Sequence, residues 1–252
     1  MTGLRVRFVG TGNAFHADGR GAQAIWFEMD DLCFVVDLGP TAMAALERMQ
    51  LSPERLEACF ITHLHGDHIA GWPFLLLHFA YLSRRTRPFL LCGPDGTAER
   101  LEALADLCYK GSLGSAERSY PLLTSDLPVA PATGLATLPG VSLDTIPMDH
   151  DVTSIGYRFH LAGRIIGVSG DTRWCSGLED LARGCDLLIL ECTTLQPSPA
   201  AHIALSEVRE RVERLDCKRI LLTHLDDRVA GKLEAEPVAK VSAAYDGLTL
   251  EV

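Results

Sequence analysis

One segment, EACFITHLHGDHIAGW (residues 57–72), constrains the fold of this chain more than any other. Its first part, EACFIT, reads as a short buried strand. That strand runs into His63, His65, Asp67 and His68, three imidazoles and a carboxylate within six positions. The apolar stretch WPFLLLHFAYLSRR follows and reads as a helix ending in basic residues. A strand, a cluster of nitrogen and oxygen donors and a helix in direct succession have few structural uses. Imidazole is the commonest ligand for zinc-like ions, so the cluster predicts a metal site.

Other strands end in the same chemistry. FVVDLG leads to Asp37, TIPMDH to His150, GVSGD to Asp171 and ILLTH to His224. Polar side chains mounted just past buried strands are held rigidly and face outward, as a catalytic metal site requires. LRVRFVG alternates and stops at Gly10-Thr11-Gly12, a strand and a tight loop; AIWFEM and LCFVV are strands joined through Asp30-Asp31. TAMAALERMQ, TAERLEALADLCYKG, LEDLARG and ALSEVRERVERLD carry helix patterns, and SIGYRFHLA, CDLLILECT and GLTLEV read as further strands. Residues 112–140, rich in Ser, Pro and Gly, read as the least regular stretch and as a candidate pocket wall or lid. No fixed-period repeat or linker divides the chain. The pattern predicts one α/β domain over 1–252, with its site at one rim of its sheets.

Composition narrows the partners. The net charge of −10 argues against a broad basic surface for a nucleic-acid backbone. The eight cysteines lack the close spacing of a structural zinc knuckle, and most sit in apolar runs where a thiol acts as a small hydrophobe. No apolar run reaches the ~18 residues of a membrane span, and Arg5 and Arg7 interrupt the N-terminal segment. Reduced thiols and no export signal lead us to expect a cytoplasmic protein without membrane contacts. Among the remaining histidines, His78 on an apolar helix reads as a core residue or one that supports a ligand, and His160 as a partly exposed strand residue. His16 and the nearby Arg20 are candidate substrate contacts.

HLHGDH resembles the signature of the metallo-β-lactamase fold hydrolases, and the later pieces arrive in that family's order, from VGTGNA to LLTHL. The resemblance implies a four-layer αββα sandwich and a binuclear centre of two divalent transition-metal ions, zinc first, with manganese or iron as alternatives. By the same match, His63, His65 and His150 hold the first ion, and Asp67, His68 and His224 the second. Asp171 bridges the two, and Asp37 orients the metal loop without binding. Aspartate at 171 sets the chain apart from members that open β-lactam rings, which usually carry cysteine there. HDVTSIGYRF, ECTT and AHIALSEVRERV are similar to the ribonuclease Z and small phosphodiesterase branch. In that branch's pattern Glu191 orients His202, and His202 protonates the leaving oxygen while a metal-bridging hydroxide held by Asp67 attacks.

Two departures from the branch matter. Bacterial ribonuclease Z carries a long arm between its GYR and GDT strands that grips transfer RNA, whereas GYRFHLAGRIIGVSGDT passes directly from one strand to the next. The cysteine-rich extra zinc site of some phosphonate-pathway phosphodiesterases is also absent. The expected activity is therefore hydrolysis of a small cyclic or linear phosphodiester. A carboxylic-ester, lactone or thioester hydrolase is the alternative, and a transfer-RNA 3′-processing endoribonuclease ranks below it. A non-catalytic scaffold has no need of seven ligand residues, and no flavin-binding partner domain follows to suit an oxygen-reducing di-iron protein. Similar proteins commonly form edge-on homodimers.

Overall fold

The computed structural model describes residues 3–111, 113–114 and 118–252. Two seven-stranded sheets organise them. The first has the order β14-β1-β2-β3-β4-β5-β6, with β1 Leu4–Gly10, β2 Ala24–Met29, β3 Leu32–Val36, β4 Leu56–Phe60, β5 Phe89–Gly93, β6 Leu122–Asp126 and β14 Thr249–Glu251. The second has the order β13-β12-β11-β10-β9-β8-β7. Its strands are β7 Ala132–Leu138, β8 Val141–Met148, β9 Ser154–Leu161, β10 Arg164–Val168, β11 Leu187–Glu191, β12 Ile220–Thr223 and β13 Val241–Ala243. Each sheet is half antiparallel meander and half parallel: β3 to β6 run parallel in the first, β10 to β13 in the second.

Side-chain alternation explains the layering, because successive strand residues face opposite sides of a sheet. Phe34 and Val36 of β3 join the core between the sheets, whereas Cys33 and Val35 face the helices α1 Ala42–Arg48, α3 Trp72–Leu77 and α4 Thr97–Cys108. On β11, Leu187 and Ile189 face the inter-sheet core. Leu188 and Leu190 pack against α5 Ser176–Ala182, α6 Leu205–Arg211 and α7 Asp227–Ala235. Strands buried on both faces read as continuous apolar runs, which is why FVV and LLIL show no polar alternation. Three cores separate four layers, the αββα sandwich that the resemblance implied.

An aromatic cluster locks the sheets face to face. Phe27 stacks on Phe34 at 4.8 Å, and Phe159 of the opposite sheet lies 5.2 Å from Phe34 and 5.3 Å from Phe60. Closer to the rim the contact becomes polar: the buried Tyr157 hydroxyl donates to the Ile61 carbonyl, and Ile155 N donates to Thr62 O at 3.0 Å. These bonds tie β9 to the chain leaving β4, directly below the histidine cluster.

The structure corrects the reading of residues 112–140 as irregular. Leu122–Asp126 and Ala132–Leu138 are the edge strands β6 and β7; residues 112 and 115–117 of that stretch lie outside the described residues. β6 is mostly exposed, so LLTSD lacks a buried stripe. β7 carries Gly134 at φ +67, and its register shifts between Ala132 and Leu135. A bulged strand of small residues leaves no period to read. α7 was also not anticipated, because DRVAGKLEA buries only Val229 and Leu233. The predicted helix after the cluster forms, though His78–Leu82 widen into a π-type turn. No helix among the described residues is long and apolar enough to cross a membrane.

Candidate metal centre

The strands that carry polar ends all finish at one rim, where loops leave the carboxyl ends and side chains can converge. Asp37 follows β3, residues 62–68 follow β4, His150 follows β8, Asp171 follows β10, Glu191 ends β11 and His224 follows β12. The loop 62–68 becomes the single turn α2, Gly66–Ile69, which brings His68 back toward Asp37. Asp37 and His224 both adopt left-handed backbone, φ 58 and 57. Such a conformation costs a non-glycine residue on the order of 1–3 kcal/mol. At Asp37 the cost is offset by hydrogen bonds: its carboxylate accepts from Thr62 N at 2.8 Å, from the Thr62 hydroxyl and from His68 Nδ1 at 2.8 Å.

Two groups of ligand atoms result. Those of His63, His65, His150 and Asp171 lie within 4.8 Å of one another, as do those of Asp67, His68, Asp171 and His224. Asp171 belongs to both groups. His65 Nδ1 lies 3.2 Å from both His63 Nε2 and His150 Nε2. That separation is close to the tetrahedral edge of about 3.3 Å implied by zinc–nitrogen bonds of roughly 2.0–2.1 Å. Asp171 Oδ2 is 3.5 Å from His68 Nε2 and from His224 Nε2, 3.7 Å from His63 Nε2 and 4.0 Å from His150 Nε2. Asp67 Oδ2 completes the second group, 3.4 Å from His68 Nε2 and 3.1 Å from His224 Nε2.

The donor set fits divalent ions on independent grounds. His68 Nε2 and Asp171 Oδ1 are buried without a hydrogen-bond partner, a costly state unless a cation completes them. The outward ring nitrogens have acceptors: His68 Nδ1–H donates to Asp37, His150 Nδ1–H to Ala201 O at 2.9 Å and His63 Nδ1–H to Thr62 Oγ1 at 3.1 Å. With Nδ1 engaged in this way, each of these rings turns Nε2 inward, the nitrogen a metal would take. Burial, with the neighbouring His68, holds the His63 pKa well below the ordinary histidine value, and burial with His150 lowers His65. Burial alone would push the Asp171 carboxyl up; the imidazoles of His224, His68 and His63 outweigh it and keep the group ionised. Burial also opposes ionisation of Asp67, and the adjacent imidazoles of His224 and His68 reverse that effect. His68 is the exception among the rings: burial lowers its pKa, but Asp171 and Asp37 on its two sides raise it well above the usual range.

Beside this cluster stands a second constellation. His202 Nδ1–H donates to Glu191 Oε1 at 3.0 Å, and the same oxygen accepts from Thr172 N at 3.1 Å and Ile203 N at 3.3 Å. Glu191 is buried and His202 half-buried. His202 Nδ1 lies 3.8 Å from Asp171 Oδ2, so the pair adjoins the shared carboxylate. Burial would lower the His202 pKa, but the hydrogen bond and charge of Glu191, with Asp171 and Asp67, hold it up at about 9.

Two candidate substrate residues are placed differently. The Arg20 guanidinium donates to Thr11 Oγ1 at 2.8 Å and Ala244 O at 2.9 Å, so its hydrogen bonds fasten the loop after β1 to the chain beyond β13. His16 sits on that loop with φ 54, and its Nδ1 is buried without a partner. Neither residue hydrogen-bonds to the cluster. His78 lines a surface groove with Met43, Phe74 and Tyr81, and His160 pairs with Asp144 at 3.0 Å on β9. Thr62, Thr172 and Thr193 were not singled out in the sequence, although they orient His63, Glu191 and His224. The available signal was a threonine one or two positions from a chemical residue, in ITH, GDT and ECT, although Thr172 reaches Glu191 through its backbone N.

Gly170 gives a direct test of how closely Asp171 is positioned. Its φ is +62, and an added Cβ would stand 2.8 Å from Thr62 Cβ. Gly170→Ala is expected to cost about 1–3 kcal/mol in thermal unfolding and to loosen metal retention. An unchanged melting temperature and metal content would contradict this placement.

Comparison with known proteins agrees with the geometry. A ribonuclease Z of Anoxybacillus flavithermus is 24% identical over 298 residues, covering 98% of this chain and 95% of its own length. The metallo-β-lactamase fold protein YhfI from Bacillus subtilis superposes with a TM-score of 0.81 at 20% identity, covering all of both chains. The short form of human tRNase Z superposes with a TM-score of 0.80 at 24% identity over 98% of each chain. The family described as anti-Pycsar protein Apyc1 matches residues 4–241, a span that holds every residue of the cluster and of the acid pair, and the chain belongs to that family.

Proposed function

We propose that this metal-dependent hydrolase cleaves a small cyclic or linear phosphodiester, with His202 as the general acid. The reading rests on the Glu191–His202 pair at the edge of the seven-residue ligand cluster. His63, His65 and His150 are assigned to one ion, Asp67, His68 and His224 to the other, and Asp171 to both. An imidazole and carboxylate set of this kind suits zinc, with manganese or iron able to replace it. When bound, the ions supply positive charge against the phosphoryl oxygens and acidify a water into a nucleophile near neutral pH.

The chain's own groups do the rest. An alkoxide leaves phosphorus poorly unless a proton reaches it as the bond breaks. Glu191 accepts from His202 Nδ1–H and its charge keeps the ring protonated, so the imidazolium's Nε2–H is the donor to the leaving oxygen. Asp37 holds His68 and Thr62 in place and thereby shapes the ligand loop without entering the cluster. Small size of the substrate is supported by the net charge of −10 and by the tight turn at Ala162-Gly163, which joins β9 to β10 with no added arm.

The test is a panel of substrates offered to the zinc- or manganese-loaded protein: bis-p-nitrophenyl phosphate, 2′,3′-cyclic nucleotides, lactones and a thioester. Phosphodiester turnover is the expected result. Activity confined to carbonyl substrates would overturn the reading in favour of an ester, lactone or thioester hydrolase.

A further inference from the structure

One buried hydroxyl touches both halves of this site. Thr193 Oγ1 lies 2.8 Å from His224 Nδ1, 2.9 Å from His224 O and 3.2 Å from Glu191 Oε2. Its location follows from the sheet: Cys192 N donates to Thr223 O, so the residues leaving β11 and β12 run side by side and Thr193 reaches across. His224 and Thr193 are both buried, and water is not a ready substitute partner for the ring.

We propose that Thr193 is a positioning residue that ties the second metal position to the acid pair. The hydroxyl has one proton and two lone pairs. Accepting from His224 Nδ1–H, it keeps that ring's Nε2 unprotonated and aimed at Asp67 and Asp171. Its own proton is then free for Glu191 Oε2 or the His224 carbonyl. Glu191 Oε1 meanwhile serves His202, Thr172 and Ile203, so Oε2 is the oxygen through which His224 and the acid are linked. Partners of this kind set the orientation and basicity of a metal-binding imidazole, and their loss typically weakens metal binding by ~10–100-fold.

The inference rests on the assignment of His224 as a ligand, and the experiment separates the two. Zinc-loaded wild type, Thr193→Val, Thr193→Ser and His224→Ala are titrated with an absorbance-reporting zinc chelator. Thr193→Val is expected to release one zinc at a chelator concentration roughly 10–100-fold below wild type, while Thr193→Ser, which keeps the hydroxyl, stays near wild type. Thr193→Ala serves as a second hydroxyl-free variant should valine disturb the packing. In phosphodiester turnover, Thr193→Val and His202→Ala are expected to combine less than multiplicatively, because both act on one linked unit.

A hydroxyl-free variant that holds both ions as tightly as wild type would overturn the proposal. So would a serine variant as leaky as valine, or a multiplicative combination with His202→Ala. Two retained ions in His224→Ala would instead overturn the ligand assignment beneath it.

Discussion

Asp171→Ala should bind metal at neither position with useful affinity, so that a dialysed preparation is expected to hold less than about one ion per chain, against the about two expected of wild type on the proposed assignment. The expectation comes from the position of one oxygen atom. Asp171 Oδ2 faces His63, His68, His150 and His224 together, at 3.5–4.0 Å, and no other carboxylate belongs to both ligand groups. Removing it takes the shared negative charge from both groups, leaving His63, His65 and His150 with no carboxylate and the second group with Asp67 alone. Metal bound only to the folded state stabilises it in proportion to the logarithm of its concentration over the dissociation constant. The difference in melting temperature between zinc-loaded and chelated protein should therefore shrink sharply in the variant. A retained pair of ions, measured by elemental analysis, would show that Asp171 does not bridge them.

His202→Ala should leave both ions in place and slow turnover by roughly 10²–10⁴-fold on a phosphodiester with an alkoxide leaving group. A p-nitrophenolate leaves readily without a proton, so the same variant should lose far less on bis-p-nitrophenyl phosphate. This contrast separates an acid from a residue that merely supports the fold. The pH dependence follows from the raised pKa of His202. A group held up at about 9 is protonated at neutrality, so its contribution is complete at neutral pH and is lost as pH rises through that value. Cations bound at Asp171 and Asp67 would cancel the share contributed by those carboxylates and place the limb at or below 9. Glu191→Gln should move the limb lower still, because the charge that raises the imidazole is gone, and His202→Ala should lack it. Loss of metal from His202→Ala, or equal losses on both leaving groups, would contradict the assignment.

How far the sequence could be read depended on what each residue was buried against. Val35 and Val36 of β3, or Leu187 and Leu188 of β11, are covered on both faces, and their apolar runs made those strands legible. β6 and β7, with one open edge each, left nothing periodic to read. Arg20 shows the same difficulty at a single position. Its proximity to His16 in sequence suggested a joint substrate contact, and its Nη1 donates to Thr11 and to Ala244, the latter 224 residues away. No local pattern announces a partner at that separation.

The sequence by itself determined the chemistry: which imidazoles and carboxylates stand at strand ends, and the order in which they come. Their types and spacing are local properties, set by residues within a few positions of one another. Only the tertiary structure decided which of them meet. His65 and His150 come within 3.2 Å across 85 residues, and Asp67 and His224 within 3.1 Å across 157. The reason is physical: both sheets must bury their aromatic inner faces against each other, and that packing brings the carboxyl ends of β4, β8, β10 and β12 to one rim. Thr62 and Thr193, unremarkable in the chain, gain their importance there, because each is the hydroxyl that a buried imidazole finds when it turns its other nitrogen toward the centre.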